Sequence, residues 1–319
     1  MRIVFMGTPE FAVPSLEALP GAGHEPVAVV TRPDRPRRHG GAAPEASPVK
    51  IAAAHLGLPV LQSETMLDPA FVAALARGAP EAVVVVAFGR ILTPDILALP
   101  PRGCVNVHAS LLPRYRGAAP IARAIMAGET GTGVTTMRME RGLDTGDILL
   151  ARACAIVPGE TAGELTGRLA VLGADLLVET LAALAGGALK PRPQDHAAAT
   201  WAPPLVRADG RLDWSAEAVA VAGRILGCNP WPIAEAGLRG ARIQIPRAMA
   251  EPGPVIGAPA PPGTVLVAAG ERIVVACASA SRLRILTLRL PGRRTQSARD
   301  AINGRMVRPG DLFTPPPEG

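Results

Sequence analysis

The chain of 319 residues has only four cysteines, almost no lysine and no long apolar run. Its longest uninterrupted apolar stretch, Ala82 to Phe88, is far below the roughly 20 residues that span a bilayer, and the stretch from Val171 to Leu189 is broken by Asp175 and Glu179. No membrane segment is expected. At the start, Ile3 to Met6 runs at once into Gly7, Pro9 and Glu10. The apolar core of a secretory signal, about 7 to 15 residues, is missing, so a cytoplasmic protein is expected. Cys104, Cys154, Cys228 and Cys277 form no Cys-x-x-Cys pair, which argues against a zinc site and against a disulfide framework. Reduced thiols acting as small buried hydrophobes, and no metal, are the expectation. The first turn reads Gly7-Thr8-Pro9-Glu10-Phe11 and lacks Gly-x-Gly-x-x-Gly, which sets aside a nicotinamide enzyme.

What is present is a hydrophobic content of 48%, enough for a substantial core, in a length that suits two domains. The net charge of +6 is unevenly placed. Residues 1–200 carry 18 basic and 18 acidic side chains, and residues 201–319 carry 15 against 9. That surplus favours a polyanionic partner for the C-terminal part. Only Lys50 and Lys190 are lysines, and a codon bias towards arginine also explains the charge, so composition leaves both readings open.

Hydrophobic periodicity gives the architecture. Strands are expected at Arg2 to Met6, Glu25 to Val30, Ala82 to Ala87 and Cys104 to His108, with helices at Phe11 to Leu19, Pro48 to Leu56 and Pro69 to Arg77. This β-α alternation predicts a Rossmann-like α/β domain with a mostly parallel sheet and ligands at the carboxyl ends of its strands. A helix follows at Ala118 to Ala127, with Pro120 in its first turn, then paired strands at Gly133 to Met139 and Asp147 to Ile156, and a long helix at Gly163 to Leu184. Gly, Pro and Ala dominate thereafter, which places a linker at 189–206 between a catalytic domain, 1–188, and a smaller C-terminal domain, 207–319. In the latter a helix at Ala216 to Leu226 and short strands at Ala241 to Ile245, Gly263 to Ala268, Arg272 to Ala276 and Leu283 to Arg289 suit an OB-like β-barrel of five or six strands, with a loop at Glu251 to Pro262.

In Cys104-Val105-Asn106-Val107-His108, positions 106 and 108 project from one strand face while Val105 and Val107 pack the other. The turn Gly142-Leu143-Asp144-Thr145-Gly146-Asp147 can bring a carboxylate to the same surface. Asn106, His108 and Asp144 would together offer an oxyanion donor, an acid/base and an orienting carboxylate. Singly, a histidine in a strand is an ordinary hydrogen-bonded residue and an aspartate in a glycine-rich turn is a turn former, so spacing alone leaves the choice open.

The run Asn106-Val107-His108-Ala109-Ser110-Leu111-Leu112-Pro113-Arg114-Tyr115-Arg116-Gly117, followed by Gly142-Leu143-Asp144-Thr145-Gly146-Asp147, resembles the signature of the folate-dependent formyltransferases. Gly7-Thr8-Pro9-Glu10-Phe11-Ala12, Gly117-Ala118-Ala119-Pro120-Ile121 and Asn229-Pro230-Trp231-Pro232 resemble the branch of that superfamily that acts on methionyl-tRNA, and the likeness runs from Met1 to about Phe313. The resemblance implies transfer of the formyl group of 10-formyltetrahydrofolate, a co-substrate, to the amino group of initiator methionyl-tRNA for translation initiation, by a monomer that needs no metal. It puts Asn106, His108 and Asp144 in the catalytic role. Ser110, Leu111, Leu112 and Pro113 become the folate-contacting loop, and Phe88, Gly89, Arg90, Ile91 and Leu92 the wall of the pterin pocket. Arg32, Arg35, Arg37 and Arg38 of the loop Thr31 to Gly41 would contact the tRNA acceptor end, and the 207–319 domain would be its platform. Gly40-Gly41-Ala42-Ala43 departs from the basic residues expected there, which leaves the working arginine open. The rivals are a formyltransferase for a sugar nucleotide or purine precursor, against which the basic C-terminal domain speaks, and a non-catalytic tRNA-binding module, against which the intact trio speaks.

Overall fold

The computed structural model describes residues 1–34, 44–252 and 260–317. By their contacts these form two compact units. One comprises Met1–Pro120, Thr132–Cys154 and Thr166–Ala202, the other Ile121–Gly131, Ala155–Leu165 and Pro203–Gly319.

In the first unit, strands β1 (Arg2–Gly7), β2 (Glu25–Thr31), β3 (Val60–Gln62), β4 (Ala82–Val86) and β5 (Cys104–His108) alternate with helices α1 (Val13–Gly21), α2 (Pro48–His55), α3 (Pro69–Arg77) and α4 (Pro94–Ala98). Three helices start as their sequences dictate: Ser47, Asp68 and Thr93 each cap the following turn through a side-chain oxygen and are each followed by proline. The sheet order is β3-β2-β1-β4-β5-β6-β7, parallel from β1 to β5 and antiparallel at β5–β6, where α5 (Pro120–Met126) precedes β6 (Gly131–Arg138) and β7 (Ile148–Ala155) follows. All five residues of β4 are buried, as its unbroken valine run requires of a strand covered on both faces. Helix α6 (Ala162–Ala185) lies close over β5, since a Cβ on Gly173 would stand 3.0 Å from Val107.

The expected linker contains fixed structure: Arg192 exchanges two backbone hydrogen bonds with Ile148, and Arg116 does so with Thr200 and Ala202.

The second unit joins α7 (Ala218–Gly227) to an antiparallel sheet of β8 (Ala234–Leu238), β9 (Ala241–Glu251), β10 (Val265–Ala269), β11 (Arg272–Ala276), β12 (Arg282–Arg289), β13 (Gln296–Ser297) and β14 (Phe313–Thr314), with α8 (Ala298–Asn303). Its order is β10-β11-β12-β9-β8-β14, with β13 beside β12. The sheet curls until its ends meet, because Thr264 bridges Leu312 and the Phe313 N–H donates to Gly263 O at 2.8 Å. This is the OB-like barrel, one strand richer than expected. Trp214 and Phe313, with ring centroids 5.2 Å apart, sit in its core. Helix α5 belongs here too: Arg123 forks onto Asp209 at 2.8 and 2.9 Å, and Gly227 of α7 leaves room for Met126.

The four cysteines are free thiols. Burial pushes Cys104, Cys228 and Cys277 up to about 12, so they are inert hydrophobes.

Candidate active site

Strand β5 delivers Asn106 and His108 to one face, while Val105 and Val107 are buried on the other. Register fixes them: Asn106 lies between Val85 of β4 and Met137 of β6, and His108 opposite Thr135. Among the described residues none bonds the Asn106 side-chain amide, which leaves both of its N–H groups for a ligand. His108 is 6% exposed. Its Nε2 meets the Tyr115 carbonyl at 2.9 Å, and because a carbonyl only accepts, Nε2 carries a proton. Nδ1 then faces Asp144 Oδ2 at 3.7 Å. The same oxygen accepts the Gly117 N–H at 2.8 Å. The structure therefore brings His108 and Asp144 together, with Asn106 on the face of His108.

Asp144 sits in a left-handed conformation, φ 54°. Gly146 allows the turn, since a Cβ there would collide with Arg138 O. Gln194 Nε2 donates to the carbonyls of Asp144 and Gly146 at 2.9 and 2.7 Å, and its Oε1 accepts from Arg116 Nε and Nη2 at 3.2 and 2.7 Å. Sequence reasoning missed this pair. A signal existed: Arg116 stands inside the signature, and an arginine buried there needs an acceptor.

The loop after β5 is held from within. Ser110 Oγ donates to Arg114 O at 2.6 Å, and Thr135 Oγ1 donates to Ser110 O at 2.7 Å while accepting the Leu112 N–H at 3.1 Å. Ser110 and Leu112 are buried, Leu111 and Pro113 half-buried. In the other expected wall, Phe88 and Leu92 are buried in the core, Ile91 is 82% exposed, and Arg90 Nη1 bonds Glu64 O.

A cavity of about 430 Å³ opens at the carboxyl ends of β1, β2 and β4, where the sheet order reverses direction. Thr8, Arg32, Ser47, Phe88 and Gly89 line it. Arg32 donates to Phe88 O at 3.2 Å and to Gly89 O, so this arginine is drawn onto the pocket wall. Arg35, Arg37 and Arg38 lie outside the described residues. Among the described residues no group of three His, Cys, Asp or Glu side chains could hold a metal ion, and no helix is long and apolar enough to cross a membrane.

In the second unit a cavity of about 390 Å³ is ringed by Arg242, Arg289 and Arg293 with Glu235 and Gln244. Glu235 offsets Arg242 at 3.6 Å, leaving a positive balance.

Residues 1–181 match the formyl transferase model and residues 204–306 its C-terminal domain. A methionyl-tRNA formyltransferase of Heliobacterium modesticaldum is 50% identical over 319 residues, covering 98% of this chain and all of the relative. One of Solibacter usitatus is 48% identical over 96% of each chain. Among solved structures, the sugar 3N-formyl transferase WlaRD superposes with a TM-score of 0.67 at 15% identity, over 92% of this chain and 99% of its own, which shows a shared fold.

Proposed function

This chain belongs to the formyl transferase family, in its methionyl-tRNA branch, and from that membership we propose that Asn106, His108 and Asp144 carry the transfer. The protein moves the formyl group of 10-formyltetrahydrofolate onto the amino group of methionyl-tRNA. The observation that supports the site assignment is the approach of half-buried Asp144 to buried His108 at the end of β5.

The neutral amine attacks the formyl carbon, and the carbonyl electrons move to oxygen. The Asn106 amide donates to that oxyanion, a role suited by its having no other partner in the described structure. Tyr115 O holds Nε2–H of His108, so Nδ1 is the nitrogen that exchanges protons with Asp144. The ammonium nitrogen of the adduct gives up one proton to Asp144 through water. As the oxyanion collapses and the carbon–N10 bond breaks, that proton passes from Asp144 to Nδ1 of His108 and on to N10, releasing tetrahydrofolate and the formamide and restoring both residues.

Backbone groups of Phe88 to Leu92 and of Ser110 to Pro113 border the folate in this reading, because several of their side chains are committed to the core or to the loop itself. Arg32, with Arg35, Arg37 and Arg38 adjacent in sequence, contacts the acceptor end in the same reading. The 207–319 domain, beyond the 189–206 segment, binds tRNA phosphates, and its Arg242, Arg289 and Arg293 cavity supports this. We read the protein as a cytoplasmic monomer. Incubation with 10-formyltetrahydrofolate and either charged or uncharged initiator tRNA tests the function: formylation of the charged form alone is expected, and formylation of a sugar nucleotide instead would refute it.

A further inference from the structure

The loop that presents Asp144 is held by a side chain fifty positions away. Gln194 uses its whole amide: Nε2 serves the carbonyls of Asp144 and Gly146, and Oε1 serves two donors of Arg116. Arg116 and Gln194 are 3% and 5% exposed, so neither group trades these bonds for water. A guanidinium only donates and a carbonyl only accepts. Arg116 therefore dictates the direction of the amide, turning Oε1 towards itself and Nε2 towards the loop. Without that grip the Gly117 N–H and the loop's own bonds would be left to hold Asp144 at φ 54°, a backbone conformation L residues rarely adopt.

The backbone around these groups is fixed on both sides. Arg116 is paired with Thr200 and Ala202, and the chain before Gln194 is paired through Arg192 with Ile148. Gln194 is thus placed by one end of the signature and by the start of β7, and it places the other end of the site.

We propose that Gln194 is a positioning residue for formyl transfer: oriented by Arg116, it fixes the Asp144 loop so that the carboxylate meets the Gly117 N–H and faces Nδ1 of His108. The role rests on the reading of Asp144 as proton acceptor. Gln194 touches no reacting atom, since both ends of its amide are occupied by protein.

The test measures formylation by the full chain in single turnovers at saturating 10-formyltetrahydrofolate and methionyl-tRNA, and in steady state over a range of each substrate for KM. Gln194→Glu keeps the shape and the pairing with Arg116 but turns an oxygen towards two carbonyl oxygens. Its maximal rate is expected to fall about 10- to 100-fold, the scale of a misplacement of about an ångström, with KM for both substrates nearly unchanged. In an Asp144→Asn background the same substitution is expected to cost less than about 3-fold, because residues acting as a unit are not additive. If Gln194→Glu does not fold, Gln194→Asn, neutral and too short to span Arg116 and the loop, is expected to show the same pattern. An equal loss in both backgrounds, a loss confined to KM, or an unchanged rate overturns the proposal. A normal rate for Asp144→Asn alone would instead sink the site reading on which it stands.

Discussion

Nδ1 of His108 stands 3.7 Å from Oδ2 of Asp144, while that oxygen accepts the Gly117 N–H at 2.8 Å. The carboxylate is thus anchored by a backbone donor and faces a titratable ring across a gap just beyond direct bonding. In the proposed mechanism this is the gap that a proton crosses between Asp144 and Nδ1.

Replacing Asn106 with Ala is expected to lower kcat by about 10² to 10³, as loss of one oxyanion donor does. His108→Ala is expected to cost on the order of 10² to 10⁴. Folate affinity, read by fluorescence titration or calorimetry, should hardly change in either. Near-normal turnover in either variant would remove that residue from the reaction.

Gly89 has φ +69°, and a Cβ there would collide with Arg32 Nη2. Gly89→Ala is therefore expected to lose about 1–2 kcal/mol of stability from the left-handed backbone alone. Arg32 must also leave the carbonyls of Phe88 and Gly89. Thermal unfolding gives the first effect and the KM for methionyl-tRNA the second. An unchanged melting temperature would contradict the conformation described.

The Arg123–Asp209 fork lies within the second unit and is largely shielded, with side-chain exposures of 20% and 15%. Hydrogen bonds from Arg123 hold the Asp209 carboxyl below its ordinary value. A depressed pKa contributes stability above the unfolded-state value and loses it as pH falls through the folded one. Arg123→Gln is accordingly expected to cost on the order of 1–3 kcal/mol near neutral pH, and the gap from the unsubstituted protein should narrow below about pH 4. Denaturant melts at several pH values measure it; a gap constant down to pH 3 would assign the cost to packing.

Affinity for tRNA should fall steeply with salt while folate binding barely responds. Substituting Arg242, Arg289 and Arg293 with Gln should flatten the slope of log affinity against log salt by about one for each phosphate no longer neutralised. An unaltered slope would return the arginine surplus to codon bias.

The parts of this fold visible in the sequence are those fixed by local chemistry. The valine run of β4 and the alternation of β5 needed only periodicity, and Pro120 opens α5 as its missing N–H allows. Short elements escaped: β3 spans three residues, and α4 five. Strand β9 runs on through Pro246, which looks like a terminator. Proline is tolerated there because the ladder with β12 slips between Thr287, opposite Arg247, and Arg289, opposite Gln244. The motif was enough to propose Asn106, His108 and Asp144 together, but Gln194 was not readable, because its partners are one carbonyl-bearing turn and one arginine far away in sequence, amid text that reads as a tether.

The chain passes between its two compact units five times, at 120/121, 131/132, 154/155, 165/166 and 202/203. A homologous recombination with a single crossover near residue 203 would therefore graft the barrel of one parent onto the α5 and 155–165 segments of the other, leaving pairs such as Arg123 with Asp209 drawn from different lineages. Functional chimaeras should arise only when those two short insertions travel with the barrel, so that the heritable module of this protein is discontinuous along its gene.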